Sequence, residues 1–497
     1  MPSPTLRFQV TAESGLTQQA VNRATFCGLD QIPVPCRAVL RDQMITIDRP
    51  VPESGKIQMP LRVEGYGELM LSTGTLMYRE RPYYLEVELA RGKVNQIRNQ
   101  LADWSSLGLQ IPPAVEAAVQ KMVRECAKSI VHLRQDPAFA IAQARKAIQA
   151  AVHAGDLIAD TYVEQALGLR HRMSAPLPTW LSVPLPIQTL PTPLADSIQT
   201  AFNTFTVPFS WRNVEPREGQ YSWDTFDSLL EWCQAHGAPV IGGPLIWLDP
   251  EGMPDWTKTL PRDPEGVYLF ACEYVSTLVK RYRGRVSLWE VGARLNSADA
   301  WQLAEEQRLQ FAIKLIETAR RNDPDTPCIL RFDQPWGEYL AGGREFDLTP
   351  LHFADALVRS GLQLGGIGLE FNIAYLPRGT AWRDRLDFSR LLDMWSYLGL
   401  PLHLTITAPS RDTADARARP EIKAVSNSTA WSNDLQAHYA QELLPLFLSK
   451  AFVHSVTWGQ LSDADPHEFP HSGVIDEFGR PKPALAALAH LRRLHLH

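Results

Sequence analysis

From about residue 176 onward the chain repeats one cycle: a short apolar run, a loop rich in polar and aromatic residues, then a helical segment. In order the strand candidates are LSVPLPI, FNTFTVPFSW, PVIGGPLIW, VSLWEVG, CILRFDQ, GGIGLEFNI, PLHLTITA and HSVTWGQL. Between them lie helical periods such as QRLQFAIKLIETARRN, DFSRLLDMWSYLG and LQAHYAQELLPLFLSKA. Eight such units in roughly 300 residues are what a (β/α)8 barrel, a fold of the α/β class, needs. In that fold the functional side chains sit at the carboxyl ends of the strands.

The residues before this run follow other patterns. LRFQVTA, CRAVLRDQMITID, KIQMPLRVEGYGELMLSTGTLMYR and YYLEVELARG alternate apolar and polar residues, with Gly and Pro as punctuation. That predicts a small β-sandwich over residues 1–92. From residue 93 the period is helical, in VNQIRNQLADWSSLG, PPAVEAAVQKMVRECAKSIVHLRQ and AFAIAQARKAIQAAVHAGDLIADTYVEQALGLR. The proline-rich SAPLPTWLSVPLPIQTLPTP marks a boundary near residue 175, so the expected units are 1–92, 93–175 and 176–497. The first unit reads either as a carbohydrate-binding module or as a scaffold packed on the barrel. Its helical, apolar connection is no flexible tether, which favours the scaffold.

Bulk properties exclude several classes. A formal net charge of -6 argues against a general nucleic-acid partner, and no apolar run is long enough to span a bilayer. The start, MPSPTLRFQVTAESG, lacks a basic-then-apolar leader, so a cytoplasmic location is expected. The six cysteines are scattered without a CxxC pair, which points to reduced thiols. Only Cys27 and Cys36 are placed to meet across a hairpin. HEFPH sets His467 and His471 at helical ligand spacing, but Pro470 opposes a helix there. No metal and no cofactor is expected.

Within the alternating region, one series of residues is specific. Trp211, Glu215–Pro216, Gly219, Tyr221, Trp223–Asp224 and Asp227 are followed by Gly237, Gly242, Leu245 and Trp247, then Pro254 and Trp256. RYRGRVSLWEV, GGIGLEFNI, SVTWGQLSDADP and GVIDEFGRPKPALAAL continue it. This series resembles glycoside hydrolase family 10, the endo-β-1,4-xylanases, from about residue 195 to 495. The resemblance implies the same barrel and a carbohydrate ligand, an oligo- or polysaccharide. Residues 1–175 do not resemble the family's catalytic domain.

The resemblance also says where hydrolytic chemistry should sit. A retaining glycosidase needs two carboxyl groups about 5–5.5 Å apart, one as acid/base and one as nucleophile. The family supplies the first in a Trp-Asp-Val-Val-Asn-Glu strand end. Here Trp289 and Val291 match, while Glu290, Ala293 and Arg294 replace the aspartate, the asparagine and the catalytic glutamate. The second comes from a Thr-Glu-Leu-Asp strand end. Here Thr405 is in register, Ile406 falls at the nucleophile and Ala408 at the aspartate. Gly243 and Leu248 stand at two histidine positions, and Glu370 and Asn372 at a Gln and a His. An isoleucine cannot attack an anomeric carbon, and an arginine stays protonated.

Polar residues still converge on the predicted rim: Arg294, Asn296, Arg331, Asp333, Glu370, Asn372, Thr405, Thr407 and Asp463. Three readings of Arg294 stay open. Glu370 can compensate its charge, because an unpaired buried charge is costly. Arg294 and Arg331 can grip an acidic sugar through their planar forks. Or catalysis has moved to Glu370 and Asp333. Glu290, roughly 13 Å deeper along the strand, is read as structural, as is Glu215 in its VEP turn. Trp247, Trp336 and Trp458 are candidate stacking platforms for sugar rings. Arg294, Arg331, Asn372 and Asp463 are the candidate polar contacts. The leading expectation is a degenerate barrel that binds a β-linked glycan or acidic sugar. Its rivals are an active hydrolase on a plant- or algal-type polysaccharide and a non-catalytic interaction scaffold.

Overall fold

Each of the eight predicted strand segments contributes a strand, and the eight close on themselves. They are β1 (Trp180–Pro184), β2 (Thr204–Val207), β3 (Val240–Gly242), β4 (Leu288–Ala293), β5 (Cys328–Asp333), β6 (Gly366–Asn372), β7 (Leu402–Thr407) and β8 (Val453–Trp458). All pairings are parallel, and β8 returns to β1 with Ser455 opposite Trp180. A helix follows each strand, from Thr192–Ala201 after β1 to Pro483–His495 after β8. The chain therefore carries a (β/α)8 barrel. The structure is a computed structural model that describes residues 5–28, 32–34, 36–48, 53–187, 192–260, 264–297, 301–342 and 348–496. Among the described residues no helix is long and apolar enough to cross a membrane. None of the six cysteines forms a disulfide among the described residues, Cys27 and Cys36 included.

Register sets which residues share a level at the barrel mouth. Asp333 on β5 lies opposite Glu370 on β6, and Glu370 lies opposite Thr405 on β7. Ile406 is next along β7, opposite Trp458 on β8, and both are fully buried. The carboxyl ends of four adjacent strands thus hold one layer of charge beside one layer of apolar side chains.

The amino-terminal part folds as two four-stranded sheets that share a core. In one, Arg37–Arg41 and Met44–Asp48 form a hairpin whose turn residues, Asp42 and Gln43, both take positive φ. YYLEVELARG departs from the strand expectation. Only Tyr83–Tyr84 is strand, and α1 (Leu85–Ser106) begins at once, ahead of the expected change at residue 93. Over five residues, alternating Leu-Glu-Val-Glu-Leu does not separate strand from helix, and Leu, Glu and Ala favour the helix. Glu86 and Glu88 also complement the positive end of the helix dipole. Their burial is balanced by cations: Arg145 lies 3.1 Å from Glu86, and Arg91 lies 2.6 Å from Glu88.

After α1 come α2 (Pro113–His132) and α3 (Pro137–Met173), and α3 runs against the barrel helices Arg385–Ser396 and Asn433–Ser449. Arg385 joins Asp160 of α3 at 2.6 Å and Glu442 at 2.7 Å. Lys93 of α1 is buried against Asp384, with Asp387 3.6 Å away. The sheets themselves reach the barrel mouth. Met70 N–H donates to the Trp382 carbonyl at 2.8 Å, and Asn427 bonds the backbone of Tyr66 and Glu68. The loops after β6 and β7 therefore carry the amino-terminal unit.

Candidate active-site cleft

Arg294 follows β4 with its side chain turned inward. Its φ is +59°, its N–H donates to the Arg331 carbonyl at 2.8 Å, and it is 4% exposed. The guanidinium meets three carboxylates. Nε and Nη2 donate to the two oxygens of Glu370, the former at 3.1 Å. Nη1 donates to Asp249 at 3.1 Å and to Glu468 at 2.7 Å. A second ring of cations surrounds these acids. Arg378 holds the other Asp249 oxygen at 2.6 Å, and Arg419 lies 3.6 Å from Glu468 and 2.6 Å from Glu251. Arg331 lies between Glu290 at 3.1 Å and Glu370 at 3.5 Å. With its forks filled in this way, Arg294 has none left for the carboxylate of an acidic sugar.

The two carboxyl groups considered for relocated catalysis have opposite environments. Burial pushes Glu370 upward, but Arg294 and Arg331 outweigh it, with hydrogen bonds from Arg294 and Asn372, and hold it down at about 2. Burial pushes Asp333 up to about 7, since Arg294 offsets only part of the cost and the Glu370 charge adds to it. Asp333 Oδ2 accepts from Ser297 and from Gln334, each at 3.2 Å, while Oδ1 has no partner among the described residues. Asn296 brackets its backbone, donating to the Asp333 carbonyl at 2.9 Å.

The remaining candidates divide sharply. Trp336 faces the cleft, with the Arg383 guanidinium 4.5 Å from its ring centre. Trp247 is covered by cations, Arg294 at 5.1 Å and Arg419 at 5.3 Å. Trp458 is not a platform: it is fully buried and its indole donates to the Ser472 carbonyl at 3.0 Å. Asp463 is not a ligand contact either, because it is buried in an ion pair with Lys482 and accepts from Gly473 N–H at 2.7 Å. Asn372 is buried and spends its amide on Glu370 at 2.8 Å. Arg331 reaches Thr405 at 3.4 Å. Glu215 accepts from Trp211 and from Gly219 N–H, each at 2.7 Å, and closes its own turn. His467 is held by Asp415 at 2.9 Å, and no metal-binding cluster occurs among the described residues.

The family model described as Glycosyl hydrolase family 10 matches residues 188–310, which include β2, β3 and β4. An endo-1,4-beta-xylanase 5-like protein of Arabidopsis thaliana is 25% identical over 206 residues, 41% of this chain and 34% of that one. Endo-1,4-beta-xylanase C of Paenibacillus barcinonensis is 29% identical over 309 residues, 55% of this chain and 27% of that one. The barrel is xylanase-like, with the match to family 10 lying in residues 188–310. The chain spans about a third or less of the length of these two relatives. Among solved structures, xylanase 10B from Thermotoga maritima superposes with a TM-score of 0.48 at 16% identity, covering 67% of this chain and 97% of that one.

In this xylanase-like barrel the mouth opens into a cleft of about 1020 Å³. Arg294, Asp333 and Trp336 line it, and Glu370 is not among the described lining residues. Sequence reasoning missed Asp249, Glu468, Arg378 and Arg419, which complete the charge cluster, and Glu338, which lines the cleft. Asp249 follows Trp247–Leu248 directly, and Glu468 lies inside HEFPH between the two histidines. Both were findable by asking which acids a buried arginine would need. Nothing in the sequence signalled that residues around Ser14–Arg23 and Pro60–Met70 line the same cleft, because that juxtaposition is created by docking.

Proposed function

We propose that the barrel mouth is a carbohydrate-binding site that lacks a retaining hydrolytic pair. The observation that carries this reading is the closed ion cluster of Arg294 with Glu370, Asp249 and Glu468 at the position the resemblance gives to the catalytic acid. Ile406 at the nucleophile position is buried and apolar. The relocated pair is not favoured, because both Glu370 oxygens are bonded to Arg294. Of the carboxyl groups that line the cleft, Asp333 and Glu338 are pushed upward by burial, opposite to what a nucleophile needs, while Asp249 is held by Arg294 and Arg378 and Glu68 by Arg23. The ligand class comes from the relatives, named as endo-1,4-beta-xylanases: a β-1,4-linked glycan.

Two measurements on the full chain test this. Titration with xylohexaose should show saturable binding, and incubation with β-1,4-xylan should release no reducing sugar. Hydrolysis that disappears in Glu370→Gln or Asp333→Asn would establish the relocated pair instead. A flat titration with neutral and acidic oligosaccharides alike would leave the interaction scaffold.

A further inference from the structure

The cleft has a wall that does not belong to the barrel. The amino-terminal sheets sit on the loops that follow three consecutive strands. Pro33 lies beneath Gly337 after β5, Met70 bonds Trp382 after β6, and Glu68 bonds Asn427 after β7. Gln19, Arg62 and the Arg23–Glu68 pair, 2.7 Å across, thereby line the same cavity as Asp333 and Trp336. A groove open at both ends admits the interior of a long chain. A groove blocked at one end holds only a short chain or the terminal units of a longer one.

The interior of this cavity asks for hydroxyl groups. Asp333 Oδ1, Glu338 Oε2 and Thr380 Oγ1 are buried without a hydrogen-bond partner among the described residues, and all three residues line the cavity. Unmet buried acceptors are costly, and a ligand rich in O–H donors satisfies them. A volume of about 1020 Å³ suits a ligand of a few sugar units. We propose that the amino-terminal unit forms an end wall of the binding site, so that the cleft takes a short β-linked oligosaccharide or the terminal units of a longer chain, not a polymer interior. This rests on the carbohydrate-binding reading above.

The test uses the full chain, xylotriose to xylohexaose, and β-1,4-xylan fractions of increasing length. The variant Gln19→Ala/Arg62→Ala changes two exposed side chains of the wall, so folding is not at stake. Expected are one protein bound per glycan chain at every length and about tenfold weaker xylohexaose binding in the variant, the scale of one lost hydrogen bond. Several proteins per chain on long xylan would overturn the end wall and leave glycan binding by the barrel intact. One protein per chain with unchanged affinity in the variant would overturn the contribution of the amino-terminal residues. Absence of binding to every probe would remove the carbohydrate-binding reading and this one together.

Discussion

β4 and β7 reach the same barrel mouth with opposite chemistry. After β4, Arg294 is 4% exposed and carries a charge, and at the end of β7 Ile406 is 0% exposed and carries none. The isoleucine is accommodated by contact alone, within the apolar core of the barrel. The arginine draws in acids from three other places: Asp249 after β3, Glu370 on β6 and Glu468 after β8. Those acids in turn engage Arg378 and Arg419. A buried apolar side chain is therefore a local event, whereas a buried charge commits several loops at once. The difference follows from solvation, since the cost of stripping water from an ion is returned only by partners in good geometry.

Removing each group separates the two cases most clearly. Arg294→Met leaves two buried carboxylates and the partly buried Glu468 without their shared cation and should cost roughly 3–5 kcal/mol in denaturant unfolding. Glu370→Gln combined with it should recover part of that loss, so the two changes are strongly non-additive. Ile406→Val should cost roughly 0.5–1.5 kcal/mol. Equal losses for Arg294→Met and Ile406→Val, or additivity between Arg294→Met and Glu370→Gln, would break the contrast.

The pH dependence sharpens it within the charged region. Asp333 is raised in the folded state to about 7 from an ordinary value of 3.8. Between those values the folded chain keeps a proton that the unfolded chain has released, so this group lowers stability as pH rises from 4 to 7. Glu370 acts in the other direction. Its folded value of about 2 lies below its ordinary 4.5, so its stabilisation is present above pH 4.5 and lost as pH falls towards 2. Asp333→Asn should flatten the decline between pH 4 and 7 and raise stability near pH 8 by on the order of 1–3 kcal/mol. Unfolding midpoints across that range check it. A variant that parallels the parent throughout would show that Asp333 is ionised in the folded chain at low pH.

The barrel was legible in the sequence because its signal is repeated. Eight apolar runs alternate with helical periods, and an error in one leaves the closure unchanged. The site was legible only where one strand sufficed. Arg294 and Ile406 each declare themselves inside a single motif, but the acids around Arg294 lie 45, 76 and 174 residues away. No local pattern links such positions. Trp458 and Asp463 were misjudged for the same reason, since proximity to a strand end does not say whether a side chain faces the cleft or the packing behind it. The strand reading of YYLEVELARG failed on a different ground: alternation over a few residues is shared by a strand and the first turns of a buried helix.

A neutral contact between the two units supplies the smallest test. Asn427 Nδ2 donates to the carbonyls of Glu68 at 2.9 Å and Tyr66 at 3.3 Å, and its Oδ1 accepts from Glu68 N–H. Between those residues Gly67 holds a φ of +78°, and any Cβ there would strike the Asn427 amide. This clamp has the reach of the Arg294 cluster, joining residues about 360 positions apart, but no charge. If desolvated charge is what makes the barrel mouth brittle, the clamp should be forgiving despite its span. Asn427→Ala should cost about 1–2 kcal/mol, because water can replace the amide at a half-buried site. Hydrogen exchange should accelerate at Glu68 N–H while the amide of Arg294 keeps its protection. A loss as large as that of Arg294→Met would mean that span, and not charge, sets the cost.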